Sequence, residues 1–248
     1  MSMEQLRQDN PPMSEILAEI EKDYQILSRK LVQSDPLFAL NPIVVTSNNE
    51  RTSINKSESR TFALQKNTRR FSWQETLFGY YISEMLVTQN EINSLYLHDD
   101  SLTRYFVENA PGFFTENIKP KKGLVNSTAV TYHSLVLDDN EDRERIAEKL
   151  MCSTSNDDIA LQYPPKNINV RVDNANPDDF VDMTILPGKV VIPITVLVKG
   201  TPHKEYVLSK PQMVTFSSRS HNVDLQFSKT FHKVQGKTCK RVTVDESQ

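Results

Sequence analysis

The hydrophobic period of this chain changes near residue 159, and that change limits the folds open to it. Before this point apolar residues recur at three- and four-residue steps. Beyond it they alternate or run together, as in Ile168-Asn-Val-Arg-Val172 and Lys189-Val-Val-Ile-Pro-Ile-Thr-Val-Leu-Val-Lys199. Steps of three and four place side chains on one face of a helix, whereas alternation places them on one face of a strand. A helical first part followed by a strand-rich remainder predicts an α+β fold. The expected order is a helical arm over 1–45, a polar linker or mobile loop over 46–70 and a helical section over 71–122. A mainly β domain with one inserted helix follows over 123–248, folded as an antiparallel sandwich or barrel.

The arm carries the clearest helical stripe. Met13, Leu17, Ile20, Tyr24, Leu27 and Leu31 follow steps of four and three, a heptad seam on a helix running from about residue 13 to 33. Pro11-Pro12 and Ser14 mark its start, and Asp35-Pro36 marks its end. The seam is too short for a self-sufficient coiled coil, so it is expected to be a partner-docking face. Its flank is acidic, with Glu15, Glu19, Glu21 and Asp23. Residues 46–70 are polar and show no periodicity, which suggests a tether.

Ser72-Trp73-Gln74-Glu75 has the form of a capping box and predicts a helix reaching Leu97. Asp99, Asp100 and Ser101 predict a second helix to Asn109, stopped by Pro111-Gly112, and a third is expected over 141–152. Further strands are predicted over Gly123–Leu137 and at Tyr206–Leu208, Met213–Phe216 and Val223–Phe227. A closing hairpin is predicted around Gln235-Gly236. Pro193 lacks a backbone donor, so its strand should be an edge strand or carry a bulge.

Chemistry is harder to find. The 248 residues are 38% apolar and 25% charged, with a net charge of -3. No apolar run approaches the length of a membrane span. No GxGxxG, GxxxxGK[ST] or GxSxG occurs, and only six glycines are present. The pairs Asp99-Asp100, Asp138-Asp139, Asp157-Asp158 and Asp178-Asp179 suit helix caps and turns better than a carboxylate-bound metal. His98, His133, His203, His221 and His232 lack zinc-site spacing, although His221, His232 and Cys239 offer a conceivable metal-dependent hydrolase site. No catalytic, cofactor-binding or metal residue is therefore assigned, and no cofactor or small-molecule substrate is expected.

Two basic stretches remain. Lys66, Arg69 and Arg70 adjoin Phe71 and Trp73, and Lys229, Lys233, Lys237, Lys240 and Arg241 make the far end basic. Basic residues interleaved with aromatics suit single-stranded nucleic acid. The sequence thus predicts a non-enzymatic assembly protein that binds a protein partner or itself as a homo-oligomer, possible as a viral capsid or matrix-type subunit. The alternative is a nucleic-acid-associated protein using the basic stretches. The lack of a secretory leader and the two distant cysteines predict a cytoplasmic or nuclear location, or a virion if the source is viral.

Overall fold

A computed structural model describes residues 43–152, 157–172, 175, 177–180, 190–196, 201–207, 213–230 and 243–244. The seam from Met13 to Leu31 lies outside these residues, as do Lys233, Lys237, Lys240, Arg241 and the predicted hairpin at 235–236. The described residues form a mixed α/β structure with four α-helices and four small sheets, not a helical half followed by a β-sandwich.

Strand β1 (Ile43–Val45) leads through Thr46 and Ser47 into helix α1 (Asn48–Gln65). The helix opens on a capping box. Glu50 N–H donates to Ser47 Oγ at 3.2 Å, and the Glu50 carboxylate accepts from Ser47 N at 2.9 Å. The segment expected to be a loose linker is therefore an ordered 18-residue helix. Its buried residues are Asn55, Ser59, Phe62 and Ala63, a helical stripe made half of polar side chains. A search for apolar periodicity does not see such a face. Asn55 is satisfied by partners far along the chain: its Nδ2 donates to Leu225 O at 3.1 Å, and its Oδ1 accepts from Ser228 N at 2.9 Å.

The section expected to be helical carries four strands as well as two helices. It holds β2 (Arg70–Gln74), β3 (Thr76–Phe78), β4 (Thr103–Val107) and β5 (Pro111–Phe114). Its helices are α2 (Tyr80–Ser83) and α3 (Gln89–His98). The capping box that forms here is Thr88 with Glu91, at the start of α3. Ser72 instead lies within β2, paired with Tyr105 of β4, because β2 is the central strand of a β4-β2-β7 sheet. Thr103-Arg-Tyr-Phe-Val107, expected as helix, is rich in β-branched and aromatic residues and extends as β4.

The remaining elements are β6 (Ala129–Val136), α4 (Arg143–Cys152), β7 (Asp158–Ala160), β8 (Asn167–Val172), β9 (Val191–Thr195), β10 (Thr201–Val207), β11 (Met213–Arg219), β12 (Val223–Leu225), β13 (Ser228–Thr230) and β14 (Thr243–Val244). One antiparallel sheet has the order β12-β5-β6-β8-β9. β9 ends it, so Pro193 does sit in an edge strand. The other sheets mix early and late strands: β13-β1-β14, which is parallel throughout, and β10-β11-β3. These long-range pairings rule out the expected antiparallel sandwich or barrel.

The main core lies among α1, the five-stranded sheet and the β4-β2-β7 sheet, with Phe106 stacked on Tyr132 at 5.5 Å between centroids. Gly112 of β5 is required there, since a Cβ would stand 2.7 Å from the Tyr132 ring. A smaller core of Leu77, Val87, Leu95, Leu102 and Phe216 lies under α2 and α3.

Asn55 is the polar bolt between α1 and the last described strands. Replacing it with Ala leaves the buried Ser228 N–H without an acceptor and should destabilise the fold by about 1–3 kcal/mol. Urea unfolding should show this as a lower midpoint at unchanged slope, whereas an unchanged midpoint would mean that α1 is held without it.

Candidate functional site

The most strongly built polar cluster joins five elements. Glu75, between β2 and β3, is 1% exposed, and its carboxylate accepts from Arg104 Nε of β4 and Ser218 Oγ of β11. Arg104 Nη1 lies 3.5 Å from Asp224 Oδ2 of β12, and Arg51 of α1 donates to the same oxygen. Two acids thus balance two bases. Burial works against the charge of Arg104, but Glu75 and Asp224 outweigh it and hold the guanidinium above its ordinary pKa.

His221 closes one side of this cluster. Its Nε2 donates to Pro165 O at 2.9 Å, and its ring meets Trp73 edge-on at 6.0 Å. Burial, reinforced by the Arg104 charge, pushes the imidazole pKa down to about 4, so the ring is neutral near pH 7. The voids around the cluster measure only about 10 and 20 Å³. That is room for about one water each, not for a substrate. The cluster is a structural lock, and it was not legible from sequence because its members share no local motif.

The second feature is an edge. β1 pairs in parallel with β13, with Val45 opposite Thr230, so the chain leaves both strands on the same side of the sheet. From β1 it enters α1 through Thr46, Ser47, Asn48 and Asn49, of which Thr46, Asn48 and Asn49 are exposed. The Glu50 carboxylate already takes the backbone N–H groups of Thr46 and Ser47. From β13 the sequence continues into the basic stretch containing Lys233 and Lys237. Ligands of parallel sheets gather at such carboxyl ends.

The structure separates the residues expected to bind nucleic acid. Arg70 is buried, with Nε 2.6 Å from Asp158 Oδ1, Nη1 donating to Lys56 O and its guanidinium 4.6 Å from the Tyr105 ring centroid. Lys229 is 5% exposed and lies 5.4 Å from the centre of the Phe113 ring. Neither presents its charge to solvent, because each is held by partners inside the fold. Lys66 is exposed, and half-buried Arg69 donates to Leu150 O at 3.4 Å. Among the aspartate pairs, Asp99 accepts from Ser101 N, Asp100 pairs with Lys56 and Asp139 with Lys166. Among the described residues no three His, Cys, Asp or Glu side chains gather as a metal site, and no helix is long and apolar enough to cross a membrane.

No family model and no curated protein matches this sequence. Solved helicases do. The chain is similar to the Pif1 helicase from Candida albicans (14% identity, TM-score 0.44, 90% of this chain and 45% of that one). It is also similar to Bacteroides Pif1 bound to ssDNA (15%, TM-score 0.41, 88% and 39%) and to unliganded Pif1 from Bacteroides sp (13%, TM-score 0.37, 83% and 46%). The chain spans less than half the length of these helicases. These neighbours are helicases and not shell or matrix subunits, so the expectation of a non-enzymatic, self-assembling or viral structural protein finds no support in them. The overlap is loose and gives no residue of this chain a role.

Two outcomes test the lock. Glu75→Gln leaves Arg104 short of a buried counter-charge and should cost about 3–5 kcal/mol of stability in urea unfolding; a loss below about 1 kcal/mol would show that charge pairing is not what holds these elements. For His221 the folded pKa lies below the unfolded value of 6.5. Its contribution is therefore full above pH 6.5 and is lost as pH falls through 4, a total of about 3–4 kcal/mol at about 1.4 kcal/mol per unit. His221→Gln should flatten that part of the stability-pH curve; an unchanged curve would assign the acid sensitivity elsewhere.

Proposed function

We propose that this chain binds single-stranded nucleic acid along the carboxyl edge of its parallel sheet. The observation that carries the reading is the in-register pairing of β1 with β13. It brings the exposed Thr46, Asn48 and Asn49 to the same side as the point where the chain departs toward Lys233 and Lys237. Hydroxyl and amide groups at an edge, followed in the sequence by lysines, suit the repeated phosphates of a strand. The two voids beside the buried polar cluster are too small for a nucleotide or a small metabolite. Because the Glu50 carboxylate takes the N–H groups of Thr46 and Ser47 just ahead of α1, phosphates would be met at this edge by the exposed side chains of Thr46, Asn48 and Asn49.

The Bacteroides Pif1 of the comparison was solved bound to ssDNA, and oligothymidylate is a suitable first probe for this chain. Binding should weaken steeply with salt, and neutralising one phosphate contact should lower the log–log slope by about 0.7 for a single strand. Lys233→Gln and Lys237→Gln should each reduce the slope by about that amount, as read by fluorescence anisotropy over a salt series. Absence of binding at low salt, or a slope unchanged in the double variant, would sink this reading.

A further inference from the structure

The outer face of β3 and β11 presents a set of side chains that neither the core nor the carboxyl edge uses. The register places Thr76 opposite Arg219, Leu77 opposite Ser218 and Phe78 opposite Ser217. Leu77 packs into the smaller core and Ser218 is bound to Glu75, so both point inward. Alternation then turns Thr76, Phe78, Ser217 and Arg219 to the other face. There the Arg219 guanidinium lies over the Phe78 ring, 4.7 Å from its centroid. β3 ends the β10-β11-β3 order, so this face lies at the margin of the sheet.

Tyr80 stands immediately beyond β3 and is 65% exposed. Its ring meets Tyr81 edge-on at 5.6 Å and 81°, and Tyr81 packs against the smaller core. An anchored ring thus orients an exposed one. Scattered exposed aromatics need no explanation. A planar cation laid over one ring, with a second exposed ring two residues away and hydroxyls on the same face, is a more specific arrangement.

We infer that Phe78, Arg219 and Tyr80 form a stacking platform for unpaired nucleobases. This site rests on the single-stranded nucleic-acid reading above and deepens it, since the carboxyl edge would hold phosphates and the platform would hold bases. A nucleobase is flat, has a π face suited to a guanidinium and a phenol ring, and carries edges that Thr76 and Ser217 hydroxyls can bond. Base stacking on aromatics is tolerant of sequence, so the platform predicts affinity without strong base preference.

The test uses the full chain and two probes of equal length, an oligothymidylate of about 12 nucleotides and an abasic strand. Tyr80→Ala and Arg219→Gln alter exposed positions, and thermal unfolding checks that the double variant remains folded. The double variant should bind oligothymidylate about 10–100-fold more weakly, as expected for losing base stacking, while its affinity for the abasic strand falls by a small factor from one lost charge. Photocrosslinking from 5-iodouracil should mark the peptide containing Phe78 and Tyr80. Equal losses for both probes would reduce the face to an electrostatic patch and overturn the proposal, as would no loss at all. If wild-type chain binds oligothymidylate and Lys233→Gln weakens it while the platform variants do not, the platform alone fails. If wild-type chain binds neither probe at low salt, the nucleic-acid reading fails and takes the platform with it.

Discussion

Arg104 sits between two carboxylates from opposite ends of the described chain, Glu75 and Asp224, and Arg51 completes the pairing on Asp224. Taking such charges out of water costs several kcal/mol each, and their mutual attraction offsets that cost only when geometry is good and spare lone pairs are satisfied. Ser218 satisfies one of these lone pairs on Glu75. The requirement is strict because the four charged groups come from α1, the β2–β3 junction, β4 and β12. None can be buried until the others arrive. The network therefore favours one arrangement of helix and sheets over other compact packings of the same apolar residues.

The same logic runs along α1. Its inward face uses Asn55 and Ser59 beside Phe62 and Ala63, so the helix is held by directional bonds as much as by apolar area. Those bonds reach the backbone of β12 and the start of β13. They tie α1 to the start of β13, which pairs in parallel with β1. The carboxyl edge and the polar lock are linked through one helix.

Among the described residues, the groups proposed to meet a ligand lie on surfaces rather than in cavities. The most polar interior site has room for about one water on each side, and His221 within it is a neutral hydrogen-bond donor. Two cations that a linear reading assigns to a ligand are absorbed by the fold: Arg70 by Asp158 and Lys229 by burial over Phe113. The groups proposed to meet a ligand, Thr46 to Asn49 at one place and Phe78, Tyr80 and Arg219 at another, are neutral or aromatic except for Arg219. A surface of this kind fits a strand that offers both phosphates and bases.

What the sequence determined by itself was local. The strand over 168–172, the edge position of Pro193, the helix over 143–152 and the aspartate cap before Ser101 follow from alternation, a missing donor and capping chemistry, all acting within a few residues. Tertiary structure alone decided the rest. Ser72 to Glu75 has the local form of a helix cap, yet it became strand because Trp73 alternates into the core and Glu75 finds Arg104 29 residues away. Residues 48–65 have no apolar stripe, yet they became helix because Asn55 and Ser59 find buried partners. Interior hydrogen bonds and ion pairs between distant residues leave no period in a sequence, so a face built from them reads as solvent-exposed until the fold supplies the other half of each pair.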